Sequence, residues 1–441
     1  MEAITEGGKS KRKKETVQER KIPQRHLVIG FTFMLSLLLY VDRICVSAAK
    51  DPITQTLGFT DIQMGWILSV FALGYAIFQS PAGIMADTYG PRKMLASIVS
   101  IWSFLTAITG LAWNFASMLV IRFLFGASEA GAFPGMSKVI FSWIPVAERG
   151  VTQGINFSGS RLGAAFALPL VAWLIDMTGW QNSFFILGVI GVIWSVSWYV
   201  WFTDNPADHK NLSDGEKSFI LKNRQQETIE EAAAKISFKA LMGSRNMWLL
   251  IFQYFASNFT FFFCLTWLYP HLLTTYSLDP IEAGIYSSAP LLVGALGNWF
   301  SGWWVDKIYK RGQWTRSRKL PAMVGFMLAA LGLMGGIYIE QILPAVIFLS
   351  IAIFGADMTL SPSWTVCIDI GRKSSGLVSG TMNMAGNLGA FLTALAFPYL
   401  QALTGSVLSF FLIGAVFNLI SVYLWWHVKP EEYIREPVLT N

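Results

Sequence analysis

A polytopic, all-α membrane protein of twelve spans in two related six-helix bundles is predicted by three observations. The 441 residues are 54% hydrophobic and only 14% charged, whereas soluble domains average about 25% charged; the mean hydropathy is +0.48. Apolar stretches of about twenty residues, enough to cross a bilayer, recur twelve times: 27–48, 64–86, 94–112, 116–141, 151–175, 182–203, 247–273, 282–305, 320–340, 344–366, 375–399 and 405–428. The ends of two of these stretches repeat. Gly83-Ile-Met-Ala-Asp87 followed by Arg92 and Lys93 closes the second, and Gly302-Trp-Trp-Val-Asp306-Lys307 closes the eighth, each 219 positions on (83 to 302, 87 to 306).

The chain opens with a polar tail over 1–26 carrying Lys9, Lys11, Arg12, Lys13, Lys14, Arg20, Lys21 and Arg25. The apolar run after it is longer than a signal-peptide core of roughly 7–15 residues and contains Asp42-Arg43. It is therefore read as the first span, and 27–203 as an amino-terminal bundle of six. The longest polar interval, 204–246, is a linker rich in Asp, Glu, Lys and Arg. A second bundle follows at 247–428, then a tail at 429–441. Basic residues concentrate in alternate loops: Arg92 and Lys93, Arg149, the linker, Lys307 to Lys319, and Arg372 with Lys373, with Lys50 the exception on the other side. That bias puts both termini in the cytoplasm, in an expected bacterial inner membrane. The net charge of +6 belongs to these loops and is no sign of nucleic-acid binding. Cys45, Cys264 and Cys367 are scattered through apolar stretches without a CxxC, so neither a disulfide framework nor a metal site is expected. No cofactor motif is present.

Charges inside the spans carry the functional reading. Arg122 and Glu129 lie in the fourth stretch, seven residues apart, and so share a helical face. An ionisable group at membrane depth costs roughly 3 kcal/mol or more and usually marks a pathway or site. Gly126 and Ala130 keep that face low. Asn156, Gly159 and Gly163 in the fifth stretch are echoed by Asn383, Gly386 and Gly389 in the eleventh. Paired halves of this kind belong to transporters that rock about a central site.

These residues carry a resemblance. Gly83-x-x-x-Asp87-x-x-Gly90-x-Arg92-Lys93 resembles the loop 2–3 motif of the major facilitator superfamily, with Thr88 where a basic residue is usual. Tyr40-Val-Asp42-Arg43, Arg122-x-x-x-Gly126-x-x-Glu129-x-x-x-x-Pro134 and Asn383-x-x-Gly386-Asn387-Leu-Gly389 look like the anion:cation symporter family. That family includes bacterial sugar-acid and other organic-anion transporters, sialin and the vesicular glutamate carriers. The likeness spans essentially the whole chain. It implies that Asp42 takes part in proton coupling, that Arg43 contacts substrate, and that Tyr75, Asn383 and Asn387 line the cavity. A monomer is the family expectation.

Each candidate has a plainer alternative. Asp42 and Arg43 point about 100° apart and serve either as proton carrier and anion clamp or as interhelical salt bridges. Glu129 is the second proton carrier, since burial favours its neutral form and a nearby arginine favours the anion; the alternative is a permanent pair with Arg122. Arg122 contacts substrate or supports Glu129. Arg161, about ten residues into the fifth stretch, suits an anionic group through its bidentate fork, or pairs with Glu129 or Asp357. Ser361, Ser363 and Trp364 are further cavity candidates. Asp87, Arg92 and Asp306 are assigned to gating. The four histidines offer no midplane relay.

No Walker motif, HExxH or GxSxG with a plausible triad occurs, so an enzyme or an ATP-driven pump is not indicated. The expectation is a secondary transporter importing a small organic anion (sugar acid, dicarboxylate, aromatic acid or sulfonate) by proton symport with alternating access. The alternative is an anion exchanger or a sodium-coupled transporter of the same fold.

Overall fold

A computed structural model describes residues 22–226, 236–336 and 341–435. The basic run from Lys9 to Lys21, the middle of the linker and the end of the tail lie outside the described residues. Among those described, helices account for all regular structure. The amino-terminal half holds α1 (Gln24–Ala48), α2 (Lys50–Leu57), α3 (Asp61–Tyr89), α4 (Pro91–Thr109), α5 (Phe115–Glu129), α6 (Ala132–Trp143), α7 (Arg149–Thr178) and α8 (Trp180–Trp201). The linker carries α9 (Asp214–Asn223) and α10 (Phe238–Gly243). The second half holds α11 (Arg245–Thr266), α12 (Leu268–Tyr276), α13 (Pro280–Lys310), α14 (Trp314–Gly336), α15 (Ile342–Met358), α16 (Leu360–Gly371), α17 (Ser375–Thr404) and α18 (Leu408–His427).

All twelve apolar stretches are largely helical over their described residues. By length and composition alone eight stretches qualify as spans, one of them 63 residues long and holding the tenth and eleventh end to end. The fifth, α7, bends by 46° around its internal Pro169, where the imide removes a backbone donor. The third and eighth, α4 and α13, fall below the apolar threshold. They are packed against α8 and against α7 and α15. The first, fourth, seventh and tenth spans are each broken: at Ala49, at Ala130–Gly131, at Trp267 and at Thr359. Breaks of this kind are tolerated at membrane depth where the backbone is enclosed by protein or lines a cavity.

The two halves pack alike. In the first, α1 lies on α7, α3 on α5 and α4 on α8; in the second, α11 lies on α17, α13 on α15 and α14 on α18. The outermost helices turn an apolar stripe outward: on α8, Ile186, Val189, Ile193, Val196 and Val200 are exposed at three- and four-residue spacing, one helical face turned to lipid.

Between the halves, α3 crosses α17 and α7 crosses α13. Both crossings are glycine on glycine. A Cβ added at Gly83 would overlap the Gly376 carbonyl, and one at Gly302 would lie 2.6 Å from the Gly150 carbonyl oxygen. The other substantial contacts between the halves come from α6, α16 and the short turns before α7 and α17. These all lie at the end of the molecule where the chain enters α1 and leaves α18, called here the terminal end. The bundles are thus shut against each other at that end.

Candidate functional site

The site is assembled by close helix crossings. Gly159 and Gly163 of α7 sit against the Phe33 and Leu37 carbonyls of α1, and Gly74 of α3 and Gly126 of α5 lie against each other's backbone. With no side chain between them, these helices bring Arg43, Tyr75 and Arg161 to one cavity, with Glu129 behind Arg43.

That cavity lies between the bundles, with an open volume of about 40 Å³. Its charged lining is Arg43, Arg161 and Asp357. Tyr75, Asn383 and Asn387 face it, together with Tyr40, Tyr254 and Asn258. Phe133 and Phe157 stack at 5.1 Å and both pack on Trp364; the Trp364 indole donates to the Tyr254 hydroxyl at 2.9 Å. Asn383 reaches Tyr75 across the two bundles at 3.4 Å, a bond at the long edge of useful geometry.

Arg43 Nε donates to Glu129 Oε2 at 2.5 Å. Its guanidinium lies 4.3 Å from the Tyr75 ring centre. Glu129 is fully buried at the break between α5 and α6. Yet the pair is incompletely satisfied: one terminal nitrogen of Arg43 and Glu129 Oε1 are both buried without a hydrogen-bond partner. Arg161 is different. Its Nε and one Nη grip both oxygens of Asp357 at 2.8 and 2.5 Å, and the guanidinium face lies 3.6 Å from the Phe261 ring centre. Because Arg161 belongs to α7 and Asp357 to α15, this ion pair joins the two bundles at depth.

Arg122 and Asp42 lie beside this arrangement, outside the cavity lining. Both are buried. Arg122 rests on Phe125 at 4.5 Å and Phe71 at 5.2 Å, and its Nε is unpartnered. Asp42 sits near Trp102 and within electrostatic reach of Arg122 and Glu129. Although Arg122 and Glu129 share a face of one span, Glu129 takes its hydrogen bond from Arg43 on another helix.

Ser361 is not at the cavity: it is buried on α16 and donates to the Gly150 carbonyl at 2.8 Å. At the terminal end, Asp87 accepts from the Gly376 and Leu377 amides at 3.0 and 2.8 Å, with Lys138 at 3.6 Å. Asp306 accepts from the Gly150 and Val151 amides at 2.8 Å each. Each aspartate therefore caps the first turn of a helix of the opposite bundle, where orphan amides favour negative charge. Arg92 stays within its own bundle. Its amide reaches Asp204 at 2.7 Å and its Nε the Tyr199 carbonyl at 2.8 Å. Outside the spans, burial pushes the Asp204 carboxyl above its ordinary range against that amide's pull.

A further lock was not foreseen from sequence. Asp369 is fully buried between Arg149 at 2.6 Å and Arg318 at 2.8 Å, again joining the halves, and Gln225 of the linker donates to its carbonyl at 2.9 Å. The status of Asp357 had a legible signal: Glu129 and Asp357 stand 228 positions apart, as do Pro134 and Pro362. The two acids occupy matching places just before the breaks of the fourth and tenth spans.

Comparison with known proteins agrees with this architecture. Residues 32–394 match the sequence profile of the Major Facilitator Superfamily. The chain is 32% identical over 400 residues to the probable sulfoacetate transporter SauU of Cupriavidus necator, covering 90% of this chain and 92% of that one. It is 31% identical to the probable galactarate/D-glucarate transporter GarP of Escherichia coli, covering 88% and 90%. Among solved structures it superposes on the proton:xylose symporter XylE with a TM-score of 0.73 at 13% identity, covering 92% and 96%. It also superposes on the Escherichia coli fucose:proton symporter FucP with a TM-score of 0.66 at 13% identity, covering 92% and 99%. With the twelve-span fold, the doubled aspartate motif and relatives that are transporters, the chain is an integral membrane transporter of the major facilitator superfamily, in its anion:cation symporter family.

Proposed function

We propose that the protein imports a small organic anion by proton symport, with alternating access of the central cavity. The relatives' names, a sulfoacetate and a galactarate/D-glucarate transporter, share that chemical class. The observation that carries the reading is the incomplete pair between Arg43, which lines the cavity, and Glu129 buried behind it. While Glu129 is ionised it occupies Arg43. Protonating Glu129 removes the countercharge and leaves the arginine fork for a carboxylate or sulfonate, a charge-assisted pairing about twice as strong as a neutral one. Proton and anion are then held in the same chamber together, and the ion pair re-forms only once Glu129 has given up its proton and the anion has left. Asp42 beside Arg122 is the second titratable pair on this route.

Alternating access follows from the terminal-end locks. The caps made by Asp87 and Asp306 and the Arg149–Asp369–Arg318 cluster hold the bundles shut there. Their release, with closure at the other end, would carry the cavity from one side to the other. The positive-inside bias makes the terminal end cytoplasmic, in a bacterial inner membrane, and the transporting unit is a monomer.

The test is uptake into proteoliposomes at clamped voltage, over a panel of sulfoacetate, glucarate, galactonate and aromatic acids. Accumulation driven by an inward proton gradient is expected. Uptake that follows a sodium gradient, or that requires internal anion, would replace proton symport with the sodium-coupled or exchange reading.

A further inference from the structure

Resting on the transporter reading above, we propose that Asp357 fixes the charge of the ligand. It holds Arg161 out of play, so the cavity takes a carboxylate with a single negative charge on an aromatic or apolar body. Three arginines and three acids stand at this depth: Arg43 with Glu129, Arg161 with Asp357, and Arg122 beside Asp42. Fully ionised, they sum to zero. Arg161 is committed on every side, with both carboxylate oxygens on its edge and Phe261 on its face. Arg122 does not line the cavity. Of the two arginines that line the cavity, Arg43 is the one with a buried nitrogen left over, so protonation of Glu129 gives the ligand one cation, not two.

The second anionic group of a dianion would therefore be buried beside an arginine already paired, and an unpaired charge is the costliest group to bury. The rest of the lining points the same way. Phe133, Phe157 and Trp364 form an aromatic wall, and Tyr40, Tyr75 and Tyr254 line the cavity beside it. Against these, the side-chain amides Asn258, Asn383 and Asn387 are few, and Asn383 and Asn387 already donate to Tyr75 and to the Asn383 carbonyl.

Benzoate and phthalate form a matched pair, one carboxylate against two on the same ring; phenylacetate and glucarate extend the comparison. Titration calorimetry on the purified full chain at a pH that protonates Glu129 is expected to give benzoate at least about tenfold tighter binding than phthalate, the penalty of one unpaired buried charge. Asp357→Asn, which frees Arg161, is expected to narrow or reverse that ratio, while Asp357→Glu keeps it. Should Asp357→Asn not fold, the wild-type ratio with that of Asp357→Glu decides. Wild-type binding of phthalate or glucarate equal to or tighter than benzoate overturns the proposal but leaves the transporter reading intact. An unchanged ratio in a folded Asp357→Asn protein removes Asp357 from specificity. If no acid of either kind binds or is accumulated in proteoliposomes, the transporter reading itself fails.

Discussion

Arg43 has two claimants, and the balance between them is where a single side chain matters most. Glu129→Gln keeps the shape and removes the charge. Proton-driven accumulation should be abolished while anion exchange across the membrane persists; full accumulation by this variant would take Glu129 out of coupling. Arg43→Ala leaves Glu129 buried and unpaired, which costs roughly 3 kcal/mol or more of stability unless the acid takes up a proton, and should weaken anion binding by at least about tenfold. A thermal-shift series across pH separates the two effects, because the stability loss shrinks at low pH where Glu129 is neutral and the affinity loss does not. Much at this scale was legible in the sequence. A charge in an apolar run announces itself, so Asp42, Arg43, Arg122, Glu129 and Arg161 could all be named. Partnership was legible only as alternatives: Arg161 was left open to Glu129 or Asp357, and Glu129 to Arg122 or another nearby arginine. A spacing of seven residues says only that Arg122 and Glu129 share a face, and the tertiary crossing of α1 over α7 gives Glu129 its arginine. For the same reason Ser361, polar in an apolar run, was placed at the cavity when its hydroxyl is spent on the Gly150 carbonyl.

The informative elements are the helix ends at the two crossings. Asp87 and Asp306 hold first-turn amides of α17 and α7, an interaction worth about 1 kcal/mol as a cap and somewhat more with the dipole. Asp306→Asn and Asp87→Asn should each shift the balance away from the state closed at the terminal end, by roughly tenfold for 1.4 kcal/mol. Gly302→Ala should act more strongly, since its Cβ meets backbone 2.6 Å away that has no rotamer to give. Both are checked by labelling a cysteine at Ser361, in a background lacking Cys45, Cys264 and Cys367, with an impermeant thiol reagent. The rate should rise in the variants; an unchanged rate would mean that these contacts do not govern closure. The repeated Gly-x-x-x-Asp pattern let the sequence locate both helix crossings. Arg92, also assigned to gating, has a side chain that ties α4 to α8 within one bundle. The breaks at Ala130, Trp267 and Thr359 left no pattern in hydropathy, because each interruption is a change of backbone angle inside a largely apolar run.

At the scale of the molecule, composition and basic-loop spacing were enough for the fold, because a bilayer leaves a chain so few ways to satisfy its backbone. The Arg149–Asp369–Arg318 cluster escaped because its members look like ordinary loop charges in one dimension; burial, visible only in three, makes them a lock. Asp369→Asn leaves two buried arginines without their shared anion and should open the terminal end. Spin labels paired across that end are expected to move apart as labels across the opposite end move together. Labels that move at one end only would rule out rigid rocking of the bundles. The crossed caps have one more consequence. Each half donates a carboxylate to finish a helix that begins in the other, so neither half alone has complete helix starts. Fragments covering 1–226 and 227–441, made as separate polypeptides, should therefore find one another in the membrane and restore uptake, and changing Asp87 and Asp306 together should impair that complementation more than it impairs the uncut chain.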